Sequence, residues 1–333
     1  MTGWTSIEIC AGAGGTAIGV ERAGFRHVAL LDDDPAACAT LRLNRPHWNV
    51  IEGSIFDFSA KDYPSVDLFS AGAPCPPFSR AGMQLGKADE RDLFPQALRL
   101  IAECEPRAVV FENVRGILDS VFDDYRRSLE RRLRALGFTP HWKLLQASDF
   151  GVAQLRPRAV CVALRTDDAS HFAWPIPLDA PKPTVGQVLL AEMRSGGWKR
   201  AEWWAGRANR IAPTIVGGSK KHGGPDLGPT RAKREWATLG VNALKLGDRP
   251  PTPGFRGRPH LTVGMAAIIQ GFPPEWRIDG RKTAAYRQIG NAFPPPVSEA
   301  VALAVRRAME ATDAQGTKEH SNEYPMQAAA AGD

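Results

Sequence analysis

The chain has 333 residues, of which 43% are hydrophobic, and its 32 Gly and 27 Pro follow no fixed period. This composition excludes a chain disordered throughout and a collagen-like or low-complexity one. The net charge of +6 is concentrated, because Ala191–Arg258 holds 14 Lys/Arg against 5 Asp/Glu while the rest holds 28 against 31, so the basic excess points to a polyanion partner.

The first half alternates between two periods. Ser6–Cys10 reads as a strand and Gly15–Ala23 as a helix. Val28–Leu31 reads as a strand ending in Asp32-Asp33-Asp34, and Pro35 opens a helix to Leu43, in the first-turn position that proline favours. Trp48–Ile51 and Val66–Ala71 read as strands, Leu93–Glu103 as a helix, and Ala108–Phe111 as a buried strand. Tyr125–Leu136 has the spacing of a basic amphipathic helix stopped by Gly137, and Ala159–Leu164 is the last strand expected. Such alternation predicts an open α/β sheet. From Arg165 to about Arg258 the chain is rich in Gly, Pro, Trp and basic residues with little periodicity, as in a smaller, loop-rich domain. Helix signals return at Thr262–Gln270 and Val297–Glu310, and the tail from about Thr312 is expected to be disordered.

No stretch approaches the roughly 20 apolar residues a spanning helix needs, and Met1-Thr2-Gly3-Trp4-Thr5 has no secretory pattern, so no membrane association is expected. Five cysteines, at 10, 38, 75, 104 and 161, form no C-x-x-C pair. That spacing argues against a disulfide framework or a zinc site, no metal is expected, and one thiol is free for chemistry.

Five segments carry chemistry. Glu8-Ile9-Cys10-Ala11-Gly12-Ala13-Gly14-Gly15 follows a strand and opens a helix, where glycines let the backbone approach a ligand, and Asp32 ends the next strand about 20 residues on, placed for ribose hydroxyls. An adenosine-containing cofactor fits, and both S-adenosylmethionine and NAD remain open here. Ala73-Pro74-Cys75-Pro76-Pro77-Phe78-Ser79 presents a thiol on a proline-locked loop after a strand. Phe111-Glu112-Asn113-Val114 places a carboxylate at the same sheet edge. In Gln154-Leu155-Arg156-Pro157-Arg158 alternate residues of an extended segment share a face, so Gln154, Arg156 and Arg158 suit an anion or base edges. Tyr286-Arg287-Gln288-Ile289-Gly290-Asn291-Ala292 reads as a structured Gly-Asn turn before a proline-started helix.

In this order the segments resemble the bacterial C5-cytosine-specific DNA methyltransferase family, from about Ser6 to Arg307. The resemblance implies a Rossmann-like, S-adenosylmethionine-dependent open sheet over 1–168, a target-recognition domain over 169–259, and a segment 260–311 returning to the catalytic domain. It implies Cys75 as the nucleophile that attacks cytosine C6 and Glu112 as the acid at N3. Gln154, Arg156 and Arg158 would hold the flipped base and support the catalytic loop. Cys10, Ala11, Gly12, Gly14, Gly15, Asp32, Asp33, Ser54, Ile55, Gly72, Pro74, Leu93 and Asn291 fall around S-adenosylmethionine. Ser79, Lys220, Lys221, Arg231, Lys233 and Arg234 are the candidate DNA contacts, while Trp198, Trp203 and Trp204 suit local core better than base wedges.

The implied partner is double-stranded DNA, met by a monomer in the bacterial cytoplasm at the nucleoid. A cognate restriction endonuclease, acting separately, would make a restriction-modification pair. The sequence departs from the family's usual pattern at Cys10, where many relatives have Phe, at Ser54, where an acid is usual, and at Gly264-Met265, where an Arg-Glu pair is usual. Other readings are an RNA cytosine-5 methyltransferase on the same scaffold, a DNA-binding regulator on an inactive methyltransferase fold, and a nicotinamide dehydrogenase. The last leaves Cys75 and Glu112 without a role.

Overall fold

The computed structural model describes residues 3–73, 92–218, 224 and 226–322, with side chains as far as Gly316. A seven-stranded sheet forms its centre, built from β1 (Thr5–Ile9), β2 (Arg26–Asp32), β3 (Val50–Glu52), β4 (Leu68–Ala71), β5 (Ala108–Val114), β6 (Phe138–Gln146) and β7 (Pro157–Arg165), in the order β3-β2-β1-β4-β5-β7-β6. The first five strands run parallel, and β7 runs antiparallel to both β5 and β6. Ile7, Ile9, Leu30, Phe69, Val109 and Phe111 are buried because helices cover both faces, which explains the continuous apolar runs.

The helices of the first half are α1 (Gly15–Arg22), α2 (Pro35–Asn44), α3 (Phe94–Cys104), α4 (Asp123–Ala135) and α5 (Thr166–Ala169). Asp34 caps α2, its carboxylate accepting the Ala36 N–H at 3.1 Å, and Pro35 supplies the preset backbone of the first turn. One face of the sheet packs Phe94, Leu98, Ile101, Leu129 and Leu133 of α3 and α4 against Phe69 and Phe111. The other face packs Val20 of α1 and Val297, Val301 and Val305 of the C-terminal helix against Leu68, Val110 and Val160. The end of the chain therefore completes the core begun by its start. At Gly19 a Cβ would sit 2.4 Å from the Glu299 backbone N, so only glycine lets α1 lie this close to the last helix.

The remaining helices are α6 (Val185–Ser195), α7 (Ala201–Arg207), α8 (Thr230–Thr238), α9 (Val263–Gln270), α10 (Lys282–Asn291) and α11 (Pro295–Asn322). Leu189, Met193, Trp198, Trp204, Trp236, Leu246, Met265 and Ile289 form the core of this second lobe, which continues through Trp276 into Leu41 and Trp48 of the first.

Three expectations are corrected. The stretch after Arg165 is not simply loops: Val185, Leu189 and Met193 recur every four residues on the buried face of α6, and Thr184 with Gln187 closes a capping box at its start. Strand β6 is hidden in the sequence because Pro140, His141 and Lys143 break its apolar alternation; it is an edge strand, where proline costs no ladder hydrogen bond. The tail does not become irregular at Thr312, since α11 runs to Asn322 and Asp313 pairs with Arg107 at 2.9 Å. Of the tryptophans, Trp198 and Trp204 are buried, whereas Trp203 is 55% exposed between Arg200 and Arg207.

Candidate active site

The chain runs outward from β1 to β3 and then returns to β4 beside β1, so the switch point of the sheet lies between the C-terminal ends of β1 and β4. Open α/β sheets bind their ligands there. Cys10 to Gly15 leaves β1, Gly72 and Ala73 leave β4, and Glu112 stands near the end of β5 beside them.

The first loop is shaped by positive backbone angles, with Cys10 at φ 55°, Gly12 at 52° and Gly14 at 85°. The Gly14 N–H donates to Ala11 O at 3.0 Å, and the Ala11 N–H donates to Leu31 O at 3.1 Å. Asp32 fixes the turn from the side, its carboxylate accepting the Gly12 N–H at 2.7 Å and the Asp34 N–H at 2.8 Å. Both carboxylate oxygens thus serve backbone amides and keep lone pairs for a ribose. Asp33, next in line, is exposed. A Cβ on Gly12 would meet nothing within 4 Å, which leaves an open cradle in front of the turn. Gly15 is closed instead, since its Cβ would fall 2.1 Å from Phe293 O, and this contact seats the start of α1 against the C-terminal segment.

Residues beyond β3 complete that side. Ser54 is half-buried, and its hydroxyl accepts the Phe56 N–H at 3.2 Å. Ile55 is buried, with its carbonyl accepting from Arg99 at 2.9 Å. Leu93, half-buried, is the N-cap residue of α3. The open cradle, the acidic pair at the end of β2 and the turn after β3 fit an adenosine-bearing sulfonium cofactor. Burial raises the Cys10 thiol far above the ordinary thiol range, and the neighbouring acids Asp32, Asp33 and Glu8 push the same way.

Glu112 is 7% exposed and ion-paired, with Arg158 Nε 2.7 Å from its Oε1. Antiparallel pairing of β5 with β7 produces this contact, since Val114 faces Arg158 in register and Glu112 lies one pair along on the same face. Burial raises the Glu112 carboxyl above the ordinary range, while Arg158 and then Arg156 pull it back down. A carboxyl whose proton is held more tightly than usual is suited to act as a general acid. A Cβ on Gly72 would lie 3.7 Å from both Glu112 Oε2 and Cys10 O, so the acid and the glycine turn meet across Gly72. Asn113 follows Glu112, and its amide lies 3.5 Å from Ala73 O. Pro74, Cys75 and Ser79 lie outside the described residues, as do Lys220 and Lys221.

The shared-face expectation for Gln154, Arg156 and Arg158 is corrected in its consequence. Arg158 faces Glu112, but Gln154 and Arg156 are fully buried and already bound by protein. Arg156 donates to Ile215 O at 2.7 Å, Gly290 O at 2.7 Å and Ala292 O at 2.9 Å. Gln154 donates to Gln270 Oε1 at 2.7 Å and accepts the Ile215 N–H at 2.8 Å. Neither is presented to an anion or a base edge. Asn291 donates to Gly218 O at 3.3 Å.

The candidate DNA contacts on α8 differ in availability. Arg231 is exposed and pairs with Glu235, Lys233 is partly buried against Asp226 at 2.9 Å, and Arg234 is exposed. Two contributors carry no local sequence signal. Trp276 donates to Ala13 O at 3.0 Å and braces Gly14 from behind, where a Cβ would sit 3.1 Å from its ring. Glu8 lies at the foot of the turn, 1% exposed, with Oε2 unpartnered, and burial raises its carboxyl well above the ordinary range.

The C-5 cytosine-specific DNA methylase family matches residues 4–307, and the chain belongs to that family. It is 50% identical to the Type II methyltransferase M.NgoMIV of Neisseria gonorrhoeae over 92% of this chain and 98% of that one. It is 53% identical to the Type II methyltransferase M.NaeI of Lentzea aerocolonigenes over 91% of this chain and 75% of that one. Among solved structures it shares its fold with a DNMT2 variant of Spodoptera frugiperda, at TM-score 0.61 and 17% identity over 92% of this chain and 99% of that one. It shares it likewise with the Dnmt2 methyltransferase of S. pombe, at TM-score 0.60 and 18% identity over 91% and 98%. The enzyme is therefore a DNA cytosine-5 methyltransferase that draws its methyl group from S-adenosylmethionine. The dehydrogenase reading falls with this assignment. The RNA reading is not favoured, because the relatives at half identity are Type II methyltransferases. Among the described residues, no helix is long and apolar enough to cross a membrane.

Proposed function

We propose that Cys75 and Glu112 methylate a flipped-out cytosine within one duplex sequence. The carrying observation is the buried Glu112–Arg158 pair, which touches the cofactor turn across Gly72, three residues before Cys75 in the chain. The Cys75 thiolate adds to C6 of the base while Glu112 gives a proton toward N3, and the ring becomes an enamine nucleophilic at C5. S-adenosylmethionine, held on the Gly12–Gly14 turn with Asp32, Asp33 and the Ser54-Ile55 turn around it, supplies the methyl group. Loss of the C5 proton to a base then re-forms the double bond and expels the Cys75 thiolate, and the N3 proton returns to Glu112. This is covalent catalysis with acid assistance, and a base inside the stack cannot reach it, which requires flipping. Arg158 keeps Glu112 in place as the base arrives.

In this reading residues 1–168 with 260–311 make the catalytic body, and 169–259 make the target-recognition lobe. Arg234 and Arg231, exposed on α8, are placed to meet phosphates. The names of M.NgoMIV and M.NaeI support a restriction-modification role, with a separate endonuclease of the same specificity. The chain acts as a monomer on nucleoid DNA in the bacterial cytoplasm, since it carries every motif itself.

Trapping tests the chemistry. A duplex with 5-fluorocytosine at the target carries no proton at C5 to lose, so the thiolate cannot leave after methylation. Wild-type protein with S-adenosylmethionine should form a denaturant-stable DNA adduct, and Cys75→Ser should form none. Wild-type protein that methylates ordinary duplex without forming the adduct would contradict the covalent route.

A further inference from the structure

The resemblance places Asn291 around the cofactor, whereas the structure commits its amide to Gly218 O at 3.3 Å. That hydrogen bond closes one end of a backbone-on-backbone seam. A Cβ on Gly290 would lie 2.2 Å from Gly217 N and 2.4 Å from its Cα. A Cβ on Gly217 would lie 2.5 Å from Arg287 O and 2.6 Å from Asn291 Oδ1. Most of the opposing atoms are backbone, so a methyl group at either glycine must move one chain segment away from the other.

Buried polar groups bind the same segments together. The Arg156 guanidinium donates to Ile215 O on one side of the seam and to Gly290 O and Ala292 O on the other. Gln154 accepts the Ile215 N–H at 2.8 Å and donates to Gln270, whose own amide donates to Ala292 O at 2.6 Å. Ala212 forms a bridge with Gln154. The segment Ala212–Gly218 runs inside the recognition lobe, between α7 and α8. Arg156, which clamps it, stands two residues before Arg158, the partner of Glu112.

We propose that Gly217, Gly290 and Asn291, clamped by Arg156, form a positioning joint that sets the recognition lobe against the catalytic edge, and that Asn291 serves this joint and not the cofactor. The proposal rests on the reading of that lobe as the part that grips DNA. A shift on the Gly217 side of the joint moves the lobe relative to Glu112, while Phe293 keeps its contact with Gly15 at the end of the cofactor turn. Its signature is a loss in target binding and discrimination without a loss in cofactor binding.

The test uses the full chain as Gly217→Ala and Asn291→Ala, with Gly206→Ala on α7 as a control, because a Cβ at Gly206 meets nothing within 4 Å. The probes are S-adenosylmethionine alone, a duplex carrying the sequence found methylated in host DNA, and the same duplex with one base pair changed. Gly217→Ala should raise the duplex Kd and KM by about tenfold or more and shrink the target-over-mismatch ratio by a similar factor. Its S-adenosylmethionine Kd should stay within about twofold, well under the 1.4 kcal/mol of a tenfold change. Asn291→Ala should move the same parameters in the same direction by a smaller factor, and Gly206→Ala should match wild type.

Asn291→Ala adds no atom to the seam, so it decides the question if Gly217→Ala fails to fold. The proposal is overturned if Asn291→Ala weakens cofactor binding with duplex binding unchanged, or if cofactor and duplex binding fall together. It is also overturned if the seam variants match the control. Wild-type protein that binds the cofactor but no duplex would overturn the recognition reading, and the joint with it; wild-type and variant proteins that bind duplex alike would overturn the joint alone.

Discussion

The sheet edge and the recognition lobe are held by different physics. At the edge each acid is fixed by a partner, with Glu112 buried on Arg158 and the half-buried Asp32 holding the Gly12 amide. In the lobe Arg231 and Arg234 stand in solvent on α8, and the attachment lies inside: Arg156 on three carbonyls and two glycines in backbone contact. Preorganised charge in low dielectric stabilises a transition state, whereas exposed charge on a firmly mounted lobe finds and orients a polyanion. The comparison also separates two arginines two residues apart, one serving the acid and one serving the mount.

Substitutions at the edge and at the mount should therefore fail differently. Glu112→Gln removes the acid and should lower kcat by about 100- to 10,000-fold while duplex and cofactor affinities hold. In the proposed route Glu112 acts protonated, and burial raises its carboxyl, so the wild-type rate should fall as pH rises past its pKa, and that descending limb should vanish in Glu112→Gln. Equal loss of DNA affinity would erase the distinction between the two regions.

Arg156→Met tests the mount. It leaves the buried Ile215 and Gly290 carbonyls without their donor, while Ala292 O keeps that of Gln270, and should cost about 2 kcal/mol or more of unfolding free energy in denaturant titration, at roughly 1–3 kcal/mol per unsatisfied group. Arg158→Met should cost activity more than Arg156→Met does at a temperature where both are folded.

A third change probes the sheet body alone. His27, buried under α1 between Ser6 and Ala17 O, has its pKa lowered to about 4, chiefly by burial. A folded-state value below the unfolded one means its contribution is full above about pH 6.5 and is lost as pH falls toward 4. The loss should approach about 3 kcal/mol, because each tenfold difference in proton affinity between the folded and unfolded chain is worth about 1.4 kcal/mol. His27→Gln should flatten the stability profile over that window. The smallest effect is expected on the lobe surface. Arg234→Ala should weaken duplex binding without changing the preferred sequence and should lower the slope of log affinity against log salt by about 1.

The two regions also differ in how far the sequence reveals them. Strands β1, β2, β4 and β5 are readable because parallel strands covered on both faces are unbroken apolar runs, and the chemistry sits where those runs stop: Gly12, Asp32, Gly72 and Glu112. Strand β6 escapes because an edge strand tolerates Pro140 and half-exposed polar residues. The roles of Arg156 and Gln154 are illegible for another reason. Alternation places them with Arg158, but their partners, Ile215, Gln270, Gly290 and Ala292, lie between about 60 and 140 residues further along the chain. Local periodicity carries no information at that range. Trp276 is invisible for the same cause, since its partner Ala13 is 263 residues away.

Bisulfite sequencing of DNA from a methylation-deficient host expressing the chain, beside a Cys75→Ser version, reads the reaction, its nucleophile and its target together. Protected cytosines are expected at one repeated duplex sequence in the wild-type sample and none in the mutant. Protection that survives Cys75→Ser, or its absence from DNA in a host where the wild-type protein is folded and binds S-adenosylmethionine, would contradict the proposed reaction.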